Sequence, residues 1–137
     1  MSAEELPTPG VYVEAQMFGQ DFTAVFDDNG KVAYAFLLYQ GEIITDVWLY
    51  NVAPTPEEFG LDQPPHLNPK GYARDEEYPR IEREDQVEFR FITPGEIRTL
   101  YVELHLRGEL FAKLIPDQVP GWCKWAAQDG DLAQVLQ

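Results

Sequence analysis

The chain has 137 residues, with 24 acidic side chains against 10 Lys and Arg and a formal net charge of −14. That length fits one domain of ordinary size, and 45% hydrophobic with 13% aromatic residues is too apolar for a disordered chain. So few cations exclude a direct nucleic-acid binder, whose hold on phosphates rests on Lys and Arg, and disfavour docking on anionic lipid.

Residues 1–10 are acidic and proline-rich and read as a flexible terminus, without the basic start and apolar run of a secretory signal. Residues 11–137 read as a single globular domain. Val11 to Phe18 alternates, with Val11, Val13, Ala15 and Met17 on one face of a first strand. Gly19-Gln20-Asp21 offers a turn, and Phe22–Phe26 is a short second strand. Asp27-Asp28-Asn29-Gly30 is the strongest turn signal, because Asn and Gly tolerate positive φ. Lys31–Gln40 follows and is apolar on both faces, as in a central strand covered on both sides. Gly41-Glu42 turns the chain into a fourth strand, Ile43–Tyr50, in which Asp46, Trp48 and Tyr50 share a face.

Residues 53–85 form a long, acidic, proline-rich loop, since Pro54, Pro56, Pro64, Pro65, Pro69 and Pro79 interrupt any ladder or helix interior. Thr55-Pro56-Glu57-Glu58 has the pattern of a capped helical turn. A second structured region begins near Gln86, with Val87, Phe89 and Phe91 on one side. Arg98–Leu106 alternates most clearly: Leu100, Val102, Leu104 and Leu106 inward, Thr99, Tyr101, Glu103 and His105 outward. Arg107-Gly108 is a two-residue hairpin, and Leu110–Ile115 returns. From Val119 to Leu136, residues Trp122, Trp125, Ala126, Leu132, Val135 and Leu136 can build an apolar helical stripe, broken at Gly130. The expected fold is therefore α+β: a curved antiparallel sheet of about seven strands, rich in meander, with short C-terminal helices packed on it. An all-β barrel-like sheet with a helical plug is the alternative.

Charge is uneven. Residues 1–70 hold eleven acids and only Lys31 and Lys70, whereas residues 71–137 hold thirteen acids and eight bases. The second half can pair its charges locally and the first cannot. Glu14, Asp21, Asp27, Asp28, Glu42 and Asp46 are accordingly expected to face solvent or a basic partner, with Trp48 as an apolar contact. Asp75–Asp85 packs six acids and two arginines around Tyr78 and Ile81, which suits a recognition loop with Tyr78 as its anchor. A solubility surface is the plainer reading of the same charge.

The chemistry of catalysis is largely missing. Ser2 is the only serine, and Cys123 lies between Trp122 and Trp125 in the manner of a packing residue. Two histidines are too few for a rich metal site, and Asp27-Asp28-Asn29-Gly30 lacks the ligand spacing of a calcium loop. No catalytic residue, metal or cofactor is assigned. Tyr101, Glu103 and His105 share one strand face and make up a possible small-molecule pocket. A lone cysteine, no Asn-X-Ser/Thr acceptor and no apolar run near the roughly 20 residues of a membrane span favour a reducing, cytoplasmic setting.

In size and composition the chain is similar to bacterial toxin-neutralising immunity proteins, many of which are small acidic domains. That likeness covers no motif and transfers no residue. It implies an antitoxin-like role: binding a basic protein partner such as a toxin or nuclease and blocking its active site. A ligand-binding or hydrolytic sheet built on the Glu103/His105 face, and a homodimer or assembly subunit using Val32–Tyr39 or the tail helix, are the other two expectations.

Overall fold

The computed structural model describes residues 10–17, 19, 21–60, 64–95 and 100–136. The four strands expected in the first region form β1 (Tyr12–Gln16), β2 (Phe22–Asp28), β3 (Val32–Tyr39) and β4 (Glu42–Asn51). They make one antiparallel sheet in chain order. A second sheet contains β5 (Val87–Ile92), β6 (Tyr101–Leu106), β7 (Glu109–Leu114), β8 (Trp122–Cys123) and β9 (Gln134–Val135), also in chain order. All pairings are antiparallel except that of β8 with β9.

Two tight hairpins follow directly from their residues. Gln40 and Gly41 have φ of 52° and 83°, as do Arg107 and Gly108. Positive φ at both central positions matches the right-handed twist of the flanking strands. Asn29 ends the β2–β3 connection by accepting the N–H of Lys31 and of Val32 on its side chain at 2.8 and 3.0 Å.

The α+β expectation is overturned. Among the described residues the only helical piece is a single 3-10 turn, Glu84–Gln86, and no α-helix packs on either sheet. The tail does not follow its helical stripe because its backbone is used elsewhere. Lys124 N donates to Phe111 O, Gly121 N to Asp46 O, Gln134 N to Gly121 O, and Trp48 N to Leu132 O. The tail thus supplies partners to the outer edge of β4 and to β7, two edges that a helix would leave bare. Gly121 is fitted to this seam, where a Cβ would stand 2.4 Å from the Lys113 carbonyl oxygen. The expected helical turn at Thr55–Glu58 is also absent, since the Thr55 hydroxyl accepts from Asn51 Nδ2 at 3.1 Å rather than capping a helix.

The single curved sheet is replaced by two sheets that enclose one buried cluster. Ala24, Phe26, Ala35, Leu37 and Val47 of the first meet Val102, Leu104, Phe111, Leu114 and Cys123 of the second. Leu100, Val102, Leu104 and Leu106 are all buried, as their alternation requires. Among the described residues no helix is long and apolar enough to cross a membrane.

A register shift in β3–β4 separates two residues expected on one face. Tyr34 stands opposite Trp48, but Ala33 stands opposite Tyr50, so Leu49 is the extra residue. Tyr50 turns inward, 6.5 Å from Phe26 between ring centroids. Trp48 turns outward, yet it is fully buried, because the proline-rich stretch lies over it. Asn51 fastens that stretch: its Oδ1 accepts from Trp48 Nε1 and Asn68 N, and its Nδ2 donates to Asn68 O. The Tyr34 hydroxyl adds a bond to His66 O at 2.8 Å.

Candidate functional site

Register places three cross-strand rows on the outer face of the first sheet: Tyr12–Asp27–Tyr34–Trp48, Glu14–Val25–Phe36–Asp46, and Gln16–Thr23–Leu38–Ile43. Contacts along the strands agree. The Tyr12 hydroxyl donates to Glu14 at 3.2 Å, and the Tyr34 and Phe36 rings stack at 5.9 Å. The proline-rich stretch is bonded to the Tyr34–Trp48 end through His66 and Asn68, and beyond it the half-buried Phe36 and Leu38 lie beside Glu14, Asp27 and Asp46.

These carboxylates are not matched by cations. Among the described residues Glu14, Asp21, Asp27, Glu42 and Asp46 form no ion pair. The Asp21 carboxylate accepts from Gln40 Nε2 at 3.1 Å and lies with Glu42 at the open end of the sheet. In the second sheet Glu88 pairs with Arg90 and Glu109 with Lys124, and in the loops Asp85 pairs with Arg83 and Glu57 with Lys70, while Asp75, Glu76 and Glu77 form no ion pair among the described residues. Desolvation raises the pKa of Asp46, and desolvation and then the neighbouring Asp28 raise that of Asp27.

This gives a pH prediction with a definite sign. A carboxyl whose folded pKa is raised holds a proton in the folded state after the unfolded chain has lost it. Stability therefore falls as pH rises from the ordinary carboxylate value through the raised one. Asp46→Asn is expected to raise stability above that window and to flatten its pH dependence, read as urea midpoints from pH 4 to 7. A variant curve parallel to the wild-type curve would contradict it.

Asp28 leaves the expected set of solvent-facing acids. It follows Asp27 by one residue, so it points to the opposite face, inward with Phe26 and Tyr50. Its side chain is 0% exposed and bridged by Arg80, with Nε to Oδ2 at 2.8 Å and Nη2 to Oδ1 at 2.9 Å. The Tyr50 hydroxyl and Gly30 N each donate to it at 2.9 Å. Arg107 then donates to the carbonyls of Pro79 and Arg80. The Asp75–Asp85 stretch is fastened to the body by these bonds, so its two ends differ from a free recognition loop. Trp48 likewise serves the fold, since no part of it reaches the surface.

Tyr78 is half-buried in an aromatic group. Its ring lies 5.3 Å from Tyr50, 4.7 Å from Phe111 and 5.0 Å from Trp125, with the Arg107 guanidinium 5.4 Å over it. Beside it a cleft of about 370 Å³ opens between residues 51–55 and 73–80. Arg74 covers the Trp125 face at 5.0 Å, and Asp75, Glu76 and Glu77 form the rim. Sequence reading missed this cleft, because Trp125 was assigned to a helix.

Glu103 and His105 do meet, with Oε1 3.0 Å from Nε2, and His105 Nδ1 is buried without a partner. Tyr101 stands apart, under the Lys113 ammonium at 5.5 Å. None of the three lines the cleft beside Tyr78. Among the described residues no group of three His, Cys, Asp or Glu is placed to hold a metal ion. Cys123 is fully enclosed: its Sγ donates to Leu49 O at 3.5 Å and accepts from Trp125 N at 3.3 Å. Burial pushes its thiol up to about 12, which leaves little thiolate for nucleophilic work.

No protein-family model, curated protein or solved structure matches the chain.

Proposed function

We propose that this protein is an acidic protein-binding domain that uses the outer face and open end of its first sheet to engage a basic partner, as an immunity-type inhibitor does with a toxin or nuclease. One observation carries the reading. Among the described residues Glu14, Asp21, Asp27, Glu42 and Asp46, on or beside this sheet, form no ion pair, while Glu88 and Glu109 of the second sheet pair with Arg90 and Lys124. An acidic surface of this kind attracts a cationic one over several ångströms and raises the association rate, with a steep loss in salt. The half-buried Phe36 and Leu38 supply the apolar contact that charge alone does not.

The test compares two double variants of equal charge change. Glu14→Lys with Glu42→Lys alters the first sheet, and Glu82→Lys with Glu84→Lys alters the turn before β5. A basic protein captured at low salt and released by a salt gradient should bind the second variant like wild type. Its affinity for the first should fall about tenfold or more, mostly through the association rate. Equal loss with both, or capture of neutral and acidic proteins alone, would overturn the proposal.

A further inference from the structure

β1 is the outermost strand of its sheet, and β2 is its only neighbour among the described residues. Asp28 N donates to Val11 O and Met17 N to Phe22 O. Val13 stands opposite Phe26 and Ala15 opposite Ala24. The antiparallel alternation then turns the backbone of residues 11, 13, 15 and 17 toward β2 and that of Tyr12, Glu14 and Gln16 away from it. Three successive N–H and C=O pairs form an open edge, and all three residues are exposed. An edge of this sort pairs with another chain unless something blocks it.

Their side chains define what would pair with it. Tyr12, Glu14 and Gln16 lie on the outer face with Asp27, and among the described residues no cation pairs with Glu14 or Asp27. The half-buried Val13 and Ala15 lie on the inner face. A residue added opposite Glu14 shares its face, and residues added opposite Val13 and Ala15 point inward. A second copy of β1 fits poorly, because it brings its own Glu14 and a further charge of −14. β5, outermost in the second sheet, has its charges matched, since Glu88 and Arg90 pair with each other.

We infer that the open edge of β1 accepts an extended partner segment as a fifth strand, with Lys or Arg opposite Glu14 alternating with apolar residues opposite Val13 and Ala15. The inference rests on the acidic-face reading and adds its binding mode: main-chain bonds give affinity, and the alternation gives selectivity.

The probe is a nine-residue peptide of alternating lysine and valine, capped at both ends, added to the full chain. Amide exchange by NMR should slow at least tenfold at Tyr12, Glu14 and Gln16. Gln16→Pro removes one outward N–H without touching β2 or any charge, and should weaken the peptide at least tenfold. Its near-ultraviolet circular dichroism shows whether the fold is kept, and Glu14→Gln tests the same edge without a proline. Binding that leaves those three amides unprotected, or that survives Gln16→Pro, overturns strand addition and leaves the acidic face standing. No binding of the peptide also overturns it. If the first-sheet charge reversals then also fail to weaken a captured basic protein, the acidic-face reading falls separately.

Discussion

Arg80→Ala is expected to cost about 3–5 kcal/mol of folding stability, because it strands a buried carboxylate. Asp28 has no exposed side-chain surface, whereas the Arg80 side chain is one-third exposed. The asymmetry matters. Without Asp28, the guanidinium can turn toward water. Without Arg80, the carboxylate keeps only the Tyr50 hydroxyl and the Gly30 amide. Arg80→Ala should therefore be worse than a change at Asp28 that keeps the hydrogen-bond acceptor, such as Asp28→Asn. The double variant should recover part of the Arg80→Ala loss. Urea denaturation of the four proteins closes the cycle. A loss below about 1 kcal/mol for Arg80→Ala would show that the pair lies in water, in the range of surface ion pairs.

Trp48→Ala is the second large effect, at about 3–5 kcal/mol. Its indole is fully buried and bonded to Asn51, the residue that fastens Asn68 and Thr55. The loss has a local signature besides the global one. With the indole gone, residues 53–60 and 64–70 lose part of their anchorage through Asn51, and limited proteolysis should cut there before anywhere else. Trp48→Ala cut at an unchanged rate within 53–70 would show that Asn51 and Tyr34 suffice to hold the stretch. The same measurement separates Trp48 from a partner contact, since its removal acts on the fold before it acts on binding.

The strands were legible because period-two alternation is a local property. β6 follows from Leu100, Val102, Leu104 and Leu106, and both tight hairpins follow from glycines at positions of positive φ. The inward turn of Asp28 was readable in the same way, because Phe26 and Asp28 are two residues apart on one strand. It was hidden by the turn signal that Asp28-Asn29-Gly30 also carries. The parting of Trp48 from Tyr50 was not readable, since a single extra residue at Leu49 reverses the parity after it. The tail was misread for a different reason. Trp122, Trp125 and Ala126 have helical spacing, but the edges of β4 and β7 claim that backbone, and no local pattern reports on distant edges. At the candidate site, the unequal sharing of cations between the two halves was visible as composition. The rows that set Glu14 and Asp46 on either side of Val25 and Phe36 required strand register.

The seam between Asp46, Trp48 and the residues Gly121 and Leu132 sets an order of events during synthesis. The first four strands are complete at residue 51, but the partners of β4 emerge only at residues 121–132. At elongation rates of roughly 5–20 residues per second, the first sheet waits about 4–16 s before its last edge is closed. Until β6 and β7 emerge at residues 101–114, the faces of Phe26, Leu37 and Val47 lack the second-sheet residues that cover them. The same carboxylates that are proposed to attract a basic partner put like charge on every nascent copy, so two such sheets repel each other once they come within about 10 Å.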